Sequence, residues 1–338
     1  MPDMTSLPQV VRRSKAARSV GAGVTTAALA VARLSPLSLR RHILFLLGHH
    51  KVGNFRHPST LSEKVNWRII HDRRDVLRYT CDKLYAKQEA EKVGVPVAAT
   101  LWCGESLEDL AGKSLPERWV LKPNDGSGLV AFGEGTSPDL RTLEALTHHW
   151  PRESSPAREG EWAYTVARRL FLVEEMLGTG RNTPTSYKFF VFHGEPLFVH
   201  AIAVAEAQFS EWRASSDEHW PPAQTAMRFY TSSWEPLDAQ LADFPLASVE
   251  PVPPALPAML DAARKLGRDF DFVRVDLMSD GETFYFGELT PYPHAGLTTF
   301  TPRKFDTELG SHWTLPKLES TREPVRRRPL PPTLSQGR

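Results

Sequence analysis

Residues 272–297 read FVRVDLMSDGETFYFGELTPYPHAGL. Two β-rich runs flank Ser279-Asp280-Gly281, a turn signal, so the stretch reads as a hairpin. Side chains alternate along a strand, so Arg274 and Asp276 share one face. A two-residue turn sends Glu288 to the opposite face, whereas an odd-length loop or a single bulge brings it to theirs. Acid, acid and arginine then converge among Val273, Phe284 and Phe286, and carboxylates in such surroundings need a cation. Two readings stay open here: a structural Arg–Asp pair with Glu288 at a strand end, or a charged site.

With 338 residues, the chain has room for about two domains and a substantial core. Its composition, 41% hydrophobic and 24% charged, is that of a soluble globular protein. A net charge of +1 gives no global field for nucleic acid or an anionic membrane, so affinity for phosphate must come from local placement of Lys and Arg. Cys81 and Cys103 form no CxxC, which fits a reducing cytoplasm and excludes a disulfide framework or thiolate metal site. Near the N-terminus, Arg12-Arg13 precedes a small-residue stretch loosely like a twin-arginine signal. That stretch is weakly apolar and too short to span a bilayer, so a loose amphipathic helix or flexible leader is expected, without stable membrane insertion. Gly21-Ala22-Gly23 lacks the preceding strand and third glycine of a dinucleotide site.

Along the chain, helices are expected over 37–50 and within 61–94, where Asp82 can cap a helix that stops at Gly94. Strands are expected in 95–104, 118–123 and 171–177. Residues 124–135 (NDGSGLVAFGEG) read as a glycine-rich loop, and 138–169 as helical with a break at 151–156. Residues 187–204 form a hairpin turning at His193-Gly194, and a helix over about 255–268 precedes the opening hairpin. Residues 205–227 are a long irregular loop, and the RRRPLPP end reads as a disordered tail. Antiparallel hairpins beside helices indicate an α+β architecture rather than a doubly wound sheet.

Lys122 ends a strand and is followed by Asn124-Asp125-Gly126-Ser127-Gly128. Glycines let backbone N–H groups turn toward an anion, and a lysine at the loop base adds a compact charge. The order is not that of a Walker loop, and the segment alone can be a plain turn. FLVEEML (171–177) reads either as a buried strand whose acids mark its exit or as a hinge beside a flat ring. Lys83 alone reads as a solvated helix lysine, and the doublets His49-His50 and His148-His149 as surface.

In sequence order, these pieces resemble the ATP-grasp superfamily, and within it the TupA-like family of teichuronopeptide biosynthesis. The matching segments are LSEKVNW, DKLYAK, WVLKPNDGSG, EWAYTVARRLFLVEEML, YKFFVFHGEP, RFYTSSWEPL and FVRVDLMSDGETFYFGELTPYP, spread over roughly residues 40–312. The resemblance implies ATP held between two α+β subdomains. It divides the chain into a leader (1–36), a helix-rich N-terminal domain (37–100), a central lid subdomain (101–177), a core with the metal site (178–318) and a tail (319–338). Lys83 and Lys122 are then expected at the α/β-phosphates and Gly126-Ser127-Gly128 in the covering loop. Glu174, Glu175, Met176 and Leu177 are expected at adenine, with Mg²⁺ on Asp276 and Glu288. Arg274 is expected to stabilise the transferring phosphoryl group. Two positions depart from the family pattern. Thr290 stands where many ATP-grasp enzymes have an asparagine, and it is kept as a metal ligand. Ser186 stands where an acid at the ribose is usual, which leaves Lys188 facing phosphates or substrate.

The activity implied is an ATP- and Mg²⁺-dependent carboxylate–amine ligase that works through an acyl phosphate. Its expected substrates are small molecules (an amino acid, uronic acid or peptide), with Arg228, Tyr292, His294 and the 205–227 loop near them. A phosphotransferase using the same nucleotide site is the alternative, and a binding module that has lost catalysis is a third reading.

Overall fold

The computed structural model describes residues 31–32, 34–148, 150, 159–178, 184–204, 225–242, 244–279 and 281–318. The N-terminal arginine pair, the Gly21-Ala22-Gly23 segment, most of the 205–227 loop and the C-terminal tail lie outside them.

Helices α1 (Leu37–His49), α2 (Leu61–His71) and α3 (Lys83–Lys92) precede the first sheet. The sequence Thr60-Leu61-Ser62-Glu63 starts α2 with a reciprocal cap. The Thr60 side chain accepts from the Glu63 N–H at 3.2 Å, and the Glu63 carboxylate accepts from the Thr60 N–H at 3.3 Å. Asp82 caps α3 by accepting from the Tyr85 N–H at 2.9 Å.

The next segment contains β1 (Thr100–Gly104), β2 (Arg118–Pro123), β3 (Ala131–Glu134), helices α4 (Leu140–Thr147) and α5 (Trp162–Val166), and β4 (Phe171–Glu175). The four strands form one antiparallel sheet in the order β1-β4-β2-β3. Strand β3 falls inside the stretch expected to be loop throughout. Ala131 and Phe132 face Leu121 and Val120 across its ladder, and this pairing partner lies beyond any local pattern.

A second antiparallel sheet follows. It comprises β5 (Thr185–Phe192), β6 (Glu195–Ile202), β7 (Met227–Thr231) and β8 (Pro236–Leu237), then β10 (Phe272–Ser279) and β11 (Phe284–Thr290), in the order β11-β10-β5-β6-β7-β8. Between these lie β9 (Gln240–Leu241), which pairs with β12 (Phe300–Thr301), and α6 (Leu256–Gly267). Helix α7 (Arg303–Ser311) comes last. The β5–β6 turn uses His193 at φ 50° and Gly194 at φ 83°, two left-handed residues in a two-residue hairpin loop.

Period-two alternation gives this sheet two distinct faces. Val273, Val275, Leu277, Phe189, Val191 and Val199 pack with Met259, Ala262 and Ala263 of α6. Phe190, Phe192, Phe198, Phe229 and Phe272 on the opposite face pack with Leu61, Val65 and Ile69 of α2, and with Phe305, Leu309 and Trp313. Farther along this second face the aromatic residues give way to Lys188 and Asp276.

A buried ion network ties α2 to the sheet. One Asp271 oxygen accepts from Arg68 and from Arg74, both at 2.7 Å, and the other accepts from Trp313 Nε1 at 2.7 Å. Arg68, fully buried, also donates to the Phe272 and Pro291 carbonyls at 2.8 and 3.2 Å. Burial pushes the Asp271 pKa up, but Arg68, Arg74 and Trp313 outweigh it and hold the carboxyl below its usual range. A depressed pKa gives stability that is present above the unfolded value, about 3.9, and lost as pH falls through the folded one. Asp271→Ala, which leaves Arg68 and Arg74 with Asp72 as their remaining acid, is expected to cost about 3 kcal/mol in urea unfolding, the low end for breaking a buried ion pair. It should also flatten the loss of stability below about pH 4. A cost under about 0.5 kcal/mol, the scale of an ordinary surface substitution, would refute the role of this network.

Candidate active site

The ladder between β10 and β11 answers the question raised by its sequence. Ser279 pairs with Phe284, leaving an even-length connection of 280–283, and the register then shifts once between Asp276 and Leu277. Leu277 faces Phe286, Asp276 faces Glu288 and Arg274 faces Thr290, so Gly287 is the bulged residue. The bulge lets Phe286 enter the α6-side core while Glu288, two residues on, turns to the other face. A Cβ at Gly287 would lie 3.0 Å from the Asp276 carbonyl oxygen, a contact that favours glycine. Val273, Phe284 and Phe286, expected around the charged residues, belong instead to the α6 side.

Arg274 holds both Asp276 oxygens, with Nε to Oδ1 and Nη2 to Oδ2 each at 2.7 Å. Its Nη2 also donates to Glu288 Oε1 at 3.3 Å and Thr290 Oγ1 at 3.2 Å, and the threonine hydroxyl donates to Glu288 Oε1 at 2.9 Å. Lys188, directly opposite Asp276 on β5, donates to Asp276 Oδ2 at 2.5 Å. Arg274 and Asp276 are buried, while the Glu288 side chain keeps 30% exposure. Burial disfavours the Asp276 charge, but Arg274 and Lys188 prevail, and its carboxyl stays below the usual carboxylate range.

Asp276, Glu288 and Thr290 offer only oxygen donors. Among the described residues no group of three or more His, Cys, Asp or Glu side chains is arranged to hold a metal. Two carboxylates and a hydroxyl fit Mg²⁺, which takes one or two protein carboxylates and completes its shell with water and substrate phosphate.

The four-stranded sheet brings a second charged group. Glu174 is buried between two lysines: Lys87 of α3 donates to its Oε1 at 2.8 Å, and Lys122 of β2 pairs with its Oε2. These two lysines hold the Glu174 carboxyl below its usual range against the effect of burial. Sequence reasoning passed over Lys87, although it stands four residues after Lys83 and so shares its helix face. Lys83 donates to the Pro123 carbonyl at 3.1 Å and also to the Gly126 carbonyl, tying α3 to the glycine-rich loop. Burial lowers its pKa, opposed by Glu288 and reinforced by Lys122, so Lys83 lies within electrostatic range of both charged groups. Behind it, Asp82 accepts from Arg168 Nε and Nη2 at 2.8 and 2.9 Å, and Asn124 Oδ1 caps the Leu84 N–H at 2.9 Å.

In the loop itself, a Cβ on Gly126 would overlap Pro123 at 2.2 Å, and Gly128 has φ 71°. Ser127 lies close enough to Tyr164, a residue the sequence did not single out, to act on its hydroxyl. The Glu175 carboxylate accepts from the Ala99 N–H at 2.7 Å. Met176, Val130 and Phe132 all pack against Val204, so the residue just past β4 meets the chain just past β6. Leu177 is half-buried just past β4.

Of the residues expected near a second substrate, Arg228 lies on the α6-facing side of the sheet and donates to the Ala247 carbonyl at 2.7 Å. Tyr292 is buried in the aromatic cluster, and His294 lies in the short helical turn after it. His49, read from sequence as surface, is instead buried 4.0 Å from the Phe45 ring and 3.2 Å from the Gly296 carbonyl. A tertiary contact 247 residues away overrides the doublet's polar appearance.

Among the described residues no helix is long and apolar enough to cross a membrane. No curated protein matches the chain. Solved structures resembling it include D-alanine–D-alanine ligase from Bacillus anthracis, at 17% identity and TM-score 0.38, covering 70% of this chain and 66% of that one. L-amino acid ligase from Bacillus licheniformis matches at 11% identity and TM-score 0.37, covering 64% of this chain and 41% of that one. The ATP-grasp ligase PsnB complexed with its minimal precursor matches at 12% identity and TM-score 0.33, over 64% of this chain and 53% of PsnB, so the chain spans about half of that relative. Residues 63–314 match the profile of the TupA-like ATP-grasp family, and the chain therefore belongs to that family.

Proposed function

We propose that the protein is an ATP-dependent carboxylate–amine ligase that makes an amide bond in the cytoplasm and releases ADP and phosphate. One observation carries this reading. Arg274 bridges Asp276 and Glu288 in a row with Lys188, while Lys83 couples electrostatically to Glu288 and to Lys122 of the other sheet. Such a set suits a triphosphate, whose charge must be offset on several sides at once.

In this reading Lys83 and Lys122 bind the phosphates, Gly126-Ser127-Gly128 covers them, and Glu174 to Leu177 line the base. Asp276, Glu288 and Thr290 would hold Mg²⁺, which when bound neutralises phosphate oxygens and orients them. A substrate carboxylate oxygen attacks the γ-phosphorus, the bond to the ADP oxygen breaks, and an acyl phosphate results. The amine nitrogen then attacks the acyl carbon, loses a proton, and phosphate leaves with the former carboxylate oxygen. Arg274 holds the metal acids in position and stabilises the negative charge that grows in both steps. An amino acid, uronic acid or peptide provides the two reacting groups.

Lys122→Met should keep the fold yet weaken ATP binding and lower turnover by at least a hundredfold. Unchanged turnover would exclude the phosphate role of Lys122. The reaction class is tested by supplying candidate carboxylates with hydroxylamine in place of the amine. ADP, free phosphate and a hydroxamate are expected together. AMP with pyrophosphate would contradict the acyl phosphate, and a stable phosphorylated product without free phosphate would identify a kinase.

A further inference from the structure

Strand register places Asp276, Lys188, His200 and Phe229 side by side on one face of the six-stranded sheet. His200 is 1% exposed and stacks on Phe229, with centroids 4.2 Å apart and planes at 6°. Among the described residues neither of its ring nitrogens has a hydrogen-bond partner. A phenylalanine would fill this place without an unpaired polar atom, so packing does not account for the histidine.

The surroundings indicate what it could receive. Val204, past the end of β6, packs with Met176, Val130 and Phe132, forming an apolar surface suited to a flat base. Lys188 and Asp276, beside His200, mark the charged row. A nucleotide with its base at the first and its phosphates at the second carries its sugar between them. Burial together with Lys188 and Arg274 pushes the His200 pKa down to about 3, so the ring is neutral and offers one N–H and one lone pair. A carboxylate satisfies only the N–H. An ammonium satisfies only the lone pair and is repelled by Lys188 and Arg274. A sugar hydroxyl both donates and accepts, so it can answer either nitrogen, and it carries no charge for Lys188 and Arg274 to repel.

We propose that His200 binds the nucleotide by hydrogen-bonding its ribose hydroxyls, a role that rests on the ATP reading above. The test compares ATP with 2′,3′-dideoxy-ATP, in Mg²⁺, on wild-type protein and on His200→Phe. Wild-type protein should bind ATP about tenfold more tightly than the dideoxy analogue, and the variant should bind both alike. The ligand-free variant should melt at the same temperature or higher, because an unpaired buried polar ring has been replaced by an apolar one of similar shape. His200→Gln, which can still donate and accept, should recover part of the preference. If the variant retains the wild-type preference for ATP, or if it only loses thermal stability, His200 is structural and the proposal falls while the ATP reading stands. A wild-type protein that binds neither nucleotide would overturn the ATP reading, and this proposal with it.

Discussion

Two carboxylates face each other across adjacent strands, Asp276 and Glu288, and the arrangement survives because Arg274 lies between them. Like charges directly opposite on a sheet destabilise it unless a cation intervenes. Arg274 supplies that cation from the same strand as Asp276, with Lys188 adding a second from β5. Thr290 closes the ring of contacts by bonding both Arg274 and Glu288. Everything else in the site is arranged around this cluster, and the cluster depends on one bulged glycine. Without Gly287 out of register, Glu288 would share a face with Phe286 and point into the hydrophobic core.

The second charged group solves a related problem differently. Glu174 is buried deeply enough that one lysine alone would leave part of its carboxylate unanswered, and Lys87 and Lys122 approach it from a helix and a strand. Lys83 stands between the two groups, bonded to the loop that follows β2 and electrostatically aware of Glu288. The two sheets are thus joined by charge at Lys83, and by apolar contact where Met176 meets Val204.

Much of this was legible in the sequence, for identifiable reasons. Arg274-x-Asp276 is a local, period-two pattern, and the Thr60–Glu63 and Asp82 caps depend on neighbours within three residues. The face chosen by Glu288 was not decidable, because loop length and a bulge give opposite answers until the ladder is known. Strand β3, the Lys87–Glu174 pair and the burial of His49 all depend on partners distant in the chain. His200 was hidden for another reason: in PLFVHAIAV it looks like a polar interruption of an apolar strand, and only the register aligns it with Lys188 and Asp276.

The central claim is that Asp276 and Glu288 are a metal pair and not only a structural ion cluster. It is tested most directly by titrating Mg²⁺ against the ATP complex of wild-type protein and of Glu288→Gln, alongside the unfolding free energy of each. Glu288 is part exposed, so its neutral isostere should fold with nearly wild-type stability while the apparent affinity for Mg²⁺ falls at least tenfold. An unchanged Mg²⁺ dependence, accompanied by a marked loss of stability, would contradict the account.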